Sequence, residues 1–89
     1  MKTTRYLKRF KKDIKRIQKS GKDMIKLTQL IDKLVSGETL EPAYRDHALT
    51  GMYQDFRECH IEPDWLLIYQ SMETELALVR TGSHFELFR

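Results

Sequence analysis

Five side chains in this 89-residue sequence have the chemistry to move protons beside a phosphate: His47, His60, Asp64, Arg80 and His84. His60 and Asp64 flank Ile61-Glu62-Pro63 within the stretch CHIEPDWLLIYQ, residues 59–70, and Arg80 and His84 flank Thr81-Gly82-Ser83. Two imidazoles can act as base and acid in one turnover because imidazole titrates near neutrality. A guanidinium stays charged and matches the geometry of a phosphate. There is no Gly-rich phosphate loop and no Ser or Cys in a recognisable nucleophile motif. A metal site needs three or four converging ligands, and no closely spaced histidine pair supports one, so neither a metal nor any other cofactor is expected. The residue types fit metal-independent cleavage of RNA. A base takes the ribose 2′-OH proton, an arginine stabilises the phosphorane charge, and an acid protonates the leaving 5′-oxygen. The product is a 2′,3′-cyclic phosphate, and DNA, lacking the 2′-OH, is not a substrate. Each residue also has a plainer role. Arg80 can pair with a carboxylate on the sheet, Asp64 can shape a turn, His60 can be a satisfied strand histidine, and His84 can cap a helix. Trp65 and Phe88 can be core.

These side chains need a rigid frame. KTTRYL reads as a strand of about four residues. Leu7, Phe10, Ile14 and Ile17 then recur at spacings of three and four, one apolar stripe of a helix otherwise covered in Lys and Arg. Gly21 can end that helix, and Ser20 or Asp23 can cap the next, whose stripe is Met24, Leu27, Leu30, Ile31 and Leu34. Residues 38–50 read as irregular. Strands are expected over 51–61, 65–70 and 75–81, with reversals at IEPD, SMET and TGSH, and HFELF as a short strand or a turn of helix. The expected fold class is α+β: an N-terminal strand, a two-helix hairpin, then a three- to four-stranded antiparallel sheet with the helices on one face. The other face is expected to stay open and to carry the functional groups. A single domain over residues 1–89 is all the length allows.

The bulk numbers agree with a folded intracellular protein: 40% hydrophobic and 33% charged residues, with a lone cysteine, Cys59, that reads as a small buried hydrophobe. No apolar run is long enough to span a bilayer, and a cytoplasmic location without membrane contact is expected. The net charge of +3 hides an asymmetry. Residues 1–26 hold eleven basic and two acidic residues, whereas residues 27–89 hold five basic and eleven acidic ones. A basic block on an otherwise acidic chain suits a polyanion such as nucleic acid, although a solvated helix face explains it equally well.

YRDHALTG, ECHIEPDWLLIY and VRTGSHFELF, in this order and at these distances, resemble the YafQ branch of the RelE/ParE toxin superfamily. The likeness covers nearly the whole chain and is most specific in HIEPDW followed by RTGSH. It implies a RelE-like microbial ribonuclease fold and a type II toxin–antitoxin toxin. Such a toxin is an endoribonuclease, an mRNA interferase that cuts mRNA, often on the ribosome, and arrests translation until an acidic DinJ/RelB-like antitoxin wraps it. By this resemblance His84 is the general acid, His60 or Asp64 the base, and Arg80 the phosphate holder. His47, Trp65 and Phe88 contact the substrate, with Phe88 stacking on or positioning a base, while the strand parity of Trp65, opposite to that of Asp64, favours packing for that ring. Lys11, Lys12 and Lys15 would grip the RNA backbone. Two other classes stay open: a non-catalytic ParE-like toxin that binds DNA gyrase and has no need of the histidine set, and an RNA-binding module in which only the basic helices matter.

Overall fold

The computed structural model describes residues 1–88. Strand β1 (Thr3–Tyr6) leads into helices α1 (Lys8–Lys19) and α2 (Met24–Val35). Strands β2 (His47–Ala48), β3 (Arg57–Glu62), β4 (Trp65–Ser71) and β5 (Glu75–Gly82) follow, then helix α3 (His84–Phe88). The expected α+β arrangement is present, with a difference in the sheet. It has five strands in the order β1-β5-β4-β3-β2 and is mixed, because β1 pairs with β5 in parallel. A parallel partner cannot follow a tight turn, so no local signal in KTTRYL points to it. Strand β2 has only two residues and sits in the segment that reads as irregular. The strand expected from residue 51 begins only at Arg57, because Gly51–Tyr53 forms a turn of 3-10 helix. β5 runs on through Gly82, and HFELF is helical.

The helix hairpin follows its caps. Asp23 precedes α2 and its carboxylate accepts the Ile25 N–H at 3.0 Å, satisfying one of the unpaired donors of the first turn. Gly21, at φ +81°, supplies the left-handed backbone that turns the chain between the helices. Both helices lie on one face of the sheet. Phe10, Ile17, Leu27 and Leu30 meet Cys59, Trp65, Leu67, Leu76 and Leu78 there. Full burial of each large apolar side chain stabilises the fold by roughly 1.5–3 kcal/mol. The opposite face is not bare. Leu66 and Ile68 are covered by Leu87 of α3, together with Leu49, Tyr53 and Phe56.

One charge lies inside the helix layer. Asp13 occupies the buried stripe of α1 between Phe10 and Ile17 and is 2% exposed. Its carboxylate accepts Arg80 Nε at 2.7 Å and Nη2 at 3.1 Å, Arg16 Nη1 at 2.7 Å, and the Thr81 N–H at 3.1 Å. Burial pushes the Asp13 pKa up, but hydrogen bonds from Arg80, Arg16 and Thr81, with the Arg80 charge, together outweigh it and hold the group below the ordinary carboxylate value.

Removing one partner from such a buried pair leaves the other charge uncompensated. Asp13→Asn is expected to cost about 3 kcal/mol, measured by urea unfolding. Because the folded pKa lies below the unfolded one, the contribution of Asp13 is complete above pH 3.8 and fades as pH falls through the folded value. The wild type should therefore lose stability more steeply than Asp13→Asn on acidification below pH 3.8. Parallel acid limbs for the two proteins would contradict this assignment.

Candidate active site

Two β-bulges aim the strand residues. Between β4 and β5 the register runs Ile68↔Arg80 and then Tyr69↔Leu78, so Val79 is an extra residue. Leu76 and Leu78 face the helices, and simple alternation would send Arg80 there too. The bulge instead places Arg80 beside Ile68 on the opposite face. Thr81 turns inward, where its hydroxyl accepts Trp65 Nε1–H at 3.0 Å and donates to the Leu66 carbonyl at 2.7 Å. Between β3 and β4 the register runs His60↔Leu66 and then Glu62↔Trp65, with Ile61 as the extra residue. His60 stays on the Arg80 face, while Glu62 turns toward α2 and pairs with Lys22 at 3.3 Å and Lys26 at 3.0 Å.

The site is a grid on that face. His47, Glu58, Ile68 and Arg80 are register partners across β2, β3, β4 and β5, and His60, Leu66 and Gly82 form the next row. Strand spacing puts Glu58 and Arg80 about 10 Å apart across Ile68. The front of β2 is pinned by Asp46, whose carboxylate accepts Arg57 Nη2 at 3.1 Å and also the Tyr69 hydroxyl. His47 follows and presents Nε2 to Glu58 Oε1 at 3.4 Å.

Helix α3 brings His84 over the grid. Ser83 and Glu86 cap it reciprocally: Ser83 Oγ accepts the Glu86 N–H at 3.2 Å and Glu86 Oε1 accepts the Ser83 N–H at 2.8 Å. Glu86 also pairs with Arg16 Nε at 2.9 Å, and Arg16 Nη2 donates to the Thr81 carbonyl at 3.0 Å. Gly82 makes this crossing possible. A Cβ there would lie 2.7 Å from Arg16 Nη2 and 2.8 Å from Glu86 Oε1, and its φ of +155° suits glycine. Asp64 Oδ1 then accepts the His84 N–H at 3.0 Å and lies 3.4 Å from His84 Nδ1. The His84 ring is 5.9 Å from that of His60 and 6.0 Å from that of Phe88, which in turn meets Tyr53 edge-on at 5.9 Å.

These contacts set proton positions. His60 Nδ1 faces the Pro63 carbonyl at 3.2 Å, so Nδ1 carries hydrogen and Nε2 is the basic nitrogen. His84 Nδ1 faces Asp64, which leaves Nε2 to exchange protons with a ligand. The hydrogen bond from the His84 backbone N–H holds the Asp64 pKa down, with the His84 side chain adding to it. A carboxylate so stabilised is a weaker base. Glu58 went unnoticed in the sequence. It is 3% exposed, its Oε1 lies 3.4 Å from His47 and 4.0 Å from His60 Nε2, and its Oε2 has no hydrogen-bond partner. Its spacing of two from His60 on one strand was the available signal.

The sequence-derived residues divide accordingly. His47, His60, Asp64, His84 and Phe88 come together, and Arg80 shares their face while remaining buried against Asp13. Trp65 does not contact the outside. It is fully buried beneath the sheet with its indole N–H on Thr81, the packing position that its strand parity suggests. Lys11 and Lys15 border a groove between α1 and α2, on the layer away from the histidines, because α1 covers the other face. Both stand apart from the histidines. Lys12 falls on the α1 face between Arg9 and Arg16. Among the described residues, no three His, Cys, Asp or Glu side chains converge to hold a metal ion.

A family model for the bacterial toxin of the type II toxin–antitoxin system, YafQ, matches residues 2–89. The mRNA interferase toxin YafQ of Escherichia coli strain K12 is 43% identical over 84 residues, covering 93% of this chain and 91% of that protein. The crystal structure of YafQ from E. coli is similar at a TM-score of 0.95 and 38% identity, with 100% of each chain covered. The toxin in the crystal structure of the E. coli DinJ–YafQ complex is similar at 0.93 and 39% identity, again with 100% of each chain covered. The likeness runs the length of the chain and includes the turns that carry His60, Asp64 and His84, and on these grounds the chain belongs to the YafQ family of bacterial type II toxin–antitoxin toxins.

Proposed function

We propose that this protein is an endoribonuclease toxin that cuts mRNA, and that His60 and His84 are its base and acid. The observation that carries the reading is the meeting of those two rings at 5.9 Å, with Asp64 fastening His84 in place, on the sheet face that Arg80 shares. His60 Nε2 takes the 2′-OH proton, and the 2′-oxygen attacks the adjacent phosphorus. Arg80 stabilises the charge that builds on the phosphorane oxygens. His84 Nε2 gives a proton to the departing 5′-oxygen, leaving a 2′,3′-cyclic phosphate and a 5′-OH. Proton transfers are supplied by side chains, so the scheme is metal-independent. Asp64, held in its charged form by the His84 N–H, orients the acid rather than acting as the base. Glu58 stabilises the His60 imidazolium as it forms, and His47 closes the far side of that carboxylate.

The same reading assigns residues 1–89 to one toxin domain acting on translated mRNA at the ribosome, in the cytoplasm. No helix among the described residues is long and apolar enough to cross a membrane. The relatives' DinJ–YafQ complex supports an antitoxin partner for this chain, an acidic one given its basic helices.

In a translating extract, mapped mRNA 5′ ends should show codon-positioned cuts with the wild type and roughly a hundredfold fewer with His84→Ala. Equal cutting by the two proteins would remove His84 from the chemistry, and gyrase poisoning without RNA cuts would replace the reading altogether. The cleavage rate should also trace a bell against pH. Glu58→Gln should slow cleavage, because the His60 imidazolium that forms in the reaction loses its carboxylate neighbour. A wild-type rate that is flat from about pH 5.5 to 8.5 would contradict a histidine pair.

A further inference from the structure

One open groove beside Arg80 and Phe88 contains none of the histidines. It has a volume of about 930 Å³ and is lined by Arg9, Arg16, Tyr53, Arg80, Phe85 and Phe88, among others. Its rim mixes cationic side chains with aromatic rings open to solvent, Phe85 at 69% and Phe88 at 42% exposed. Exposed aromatic rings beside cationic side chains are the elements of a single-strand binding surface, where bases stack and phosphates pair. The charges are unevenly matched. Arg80 and Arg16 share Asp13, Arg16 also pairs with Glu86, and Arg9 has no ion pair among the described residues. One uncompensated cation is therefore available at the groove's α1 side.

The position of the groove fixes which part of an RNA would enter it. The acid of the reaction must stand beside the leaving 5′-oxygen, which belongs to the nucleotide on the 3′ side of the cut. Phe88 lies directly between that acid and the groove, 6.0 Å from the His84 ring and 5.9 Å from Tyr53. Chain leaving the site past His84 runs over Phe88 into the space lined by Phe85 and Arg9. Resting on the nuclease reading above, we infer that this groove is a subsite for RNA on the 3′ side of the cut, with Phe85 stacking on a base and Arg9 pairing with a phosphate. Neither residue belongs to the acid–base machinery, and both side chains lie at the surface.

The test uses the cut position mapped for the wild type on its mRNA. RNA oligonucleotides spanning that position, with a 2′-deoxy nucleotide on its 5′ side to prevent cleavage, are extended by one, two or three nucleotides at either end, and their affinity is measured by fluorescence anisotropy. Extension on the 3′ side should tighten binding to the wild type. Phe85→Ala and Arg9→Ala should each lose that gain, by roughly tenfold for Phe85 given the worth of one stacked base, and match the wild type on the shortest oligonucleotide. The Arg9 contribution should shrink as salt is raised and the Phe85 contribution should not. A gain with 3′ length that persists in both variants overturns the subsite while leaving the nuclease intact. So does a gain seen only on the 5′ side, a loss equal at every length, or no gain at all. Absence of any wild-type cut overturns the nuclease reading itself, and the subsite with it.

Discussion

The Asp13 carboxylate holds the molecule and its site together. It is the one acidic group in the apolar stripe of α1, and a bare charge there would be prohibitive. Its four donors come from α1 itself and from two successive residues of β5, so the helix layer is locked to the strand at the point where the strand's side chains change face. The bulge at Val79 and the ion pair are parts of one arrangement. The bulge brings Arg80 to the histidine face, and Asp13 takes hold of it from the helix side. Arg16 extends the hold to Glu86 and hence to the cap of α3, which carries His84. His84 thus stands on a short helix whose placement traces back to a buried carboxylate on α1.

Polar groups around the histidines divide the labour in a similar way. Asp64 and Glu58 are both carboxylates beside imidazoles, yet their surroundings differ. Asp64 is exposed and spends an oxygen on a backbone N–H, which fixes where α3 begins. Glu58 is buried, touches two histidines and keeps one oxygen without a hydrogen-bond partner. The first arrangement gives position and the second sets a buried carboxylate beside two imidazoles. Arg80 adds a charge that Asp13 already anchors, so the guanidinium holds one position on that face.

Much of this was legible in the sequence, for reasons that can be named. The helix stripes, the Asp23 cap, the turn at Pro63-Asp64 and the twice-covered WLLIY are local patterns, and local patterns set local structure. What escaped depends on distant pairing. The partner of β1 lies more than seventy residues away, and β2 is too short to announce itself. Bulges at Ile61 and Val79 each reverse the parity that alternation predicts, and neither residue type signals one. Asp13 reads as a surface charge because a buried acid becomes explicable only once Arg80 and Thr81 are beside it. The motif residues carry the site, while Glu58 passed for an ordinary polar position on a half-exposed strand.

The parallel pairing of β1 with β5 has a kinetic meaning. Thr3 lies opposite Glu75, so this edge of the sheet closes a loop that encloses almost every other element. Contacts of such separation incur their loop-closure entropy before any stabilisation returns. Contact separation predicts that the β3–β4–β5 meander, joined by tight turns, forms before β1 and α1 dock. Asp13 therefore stays hydrated through most of folding and is buried only as its donors arrive. On that order the Asp13 contacts belong to the late part of folding. They act on how slowly the protein opens rather than on how fast it forms.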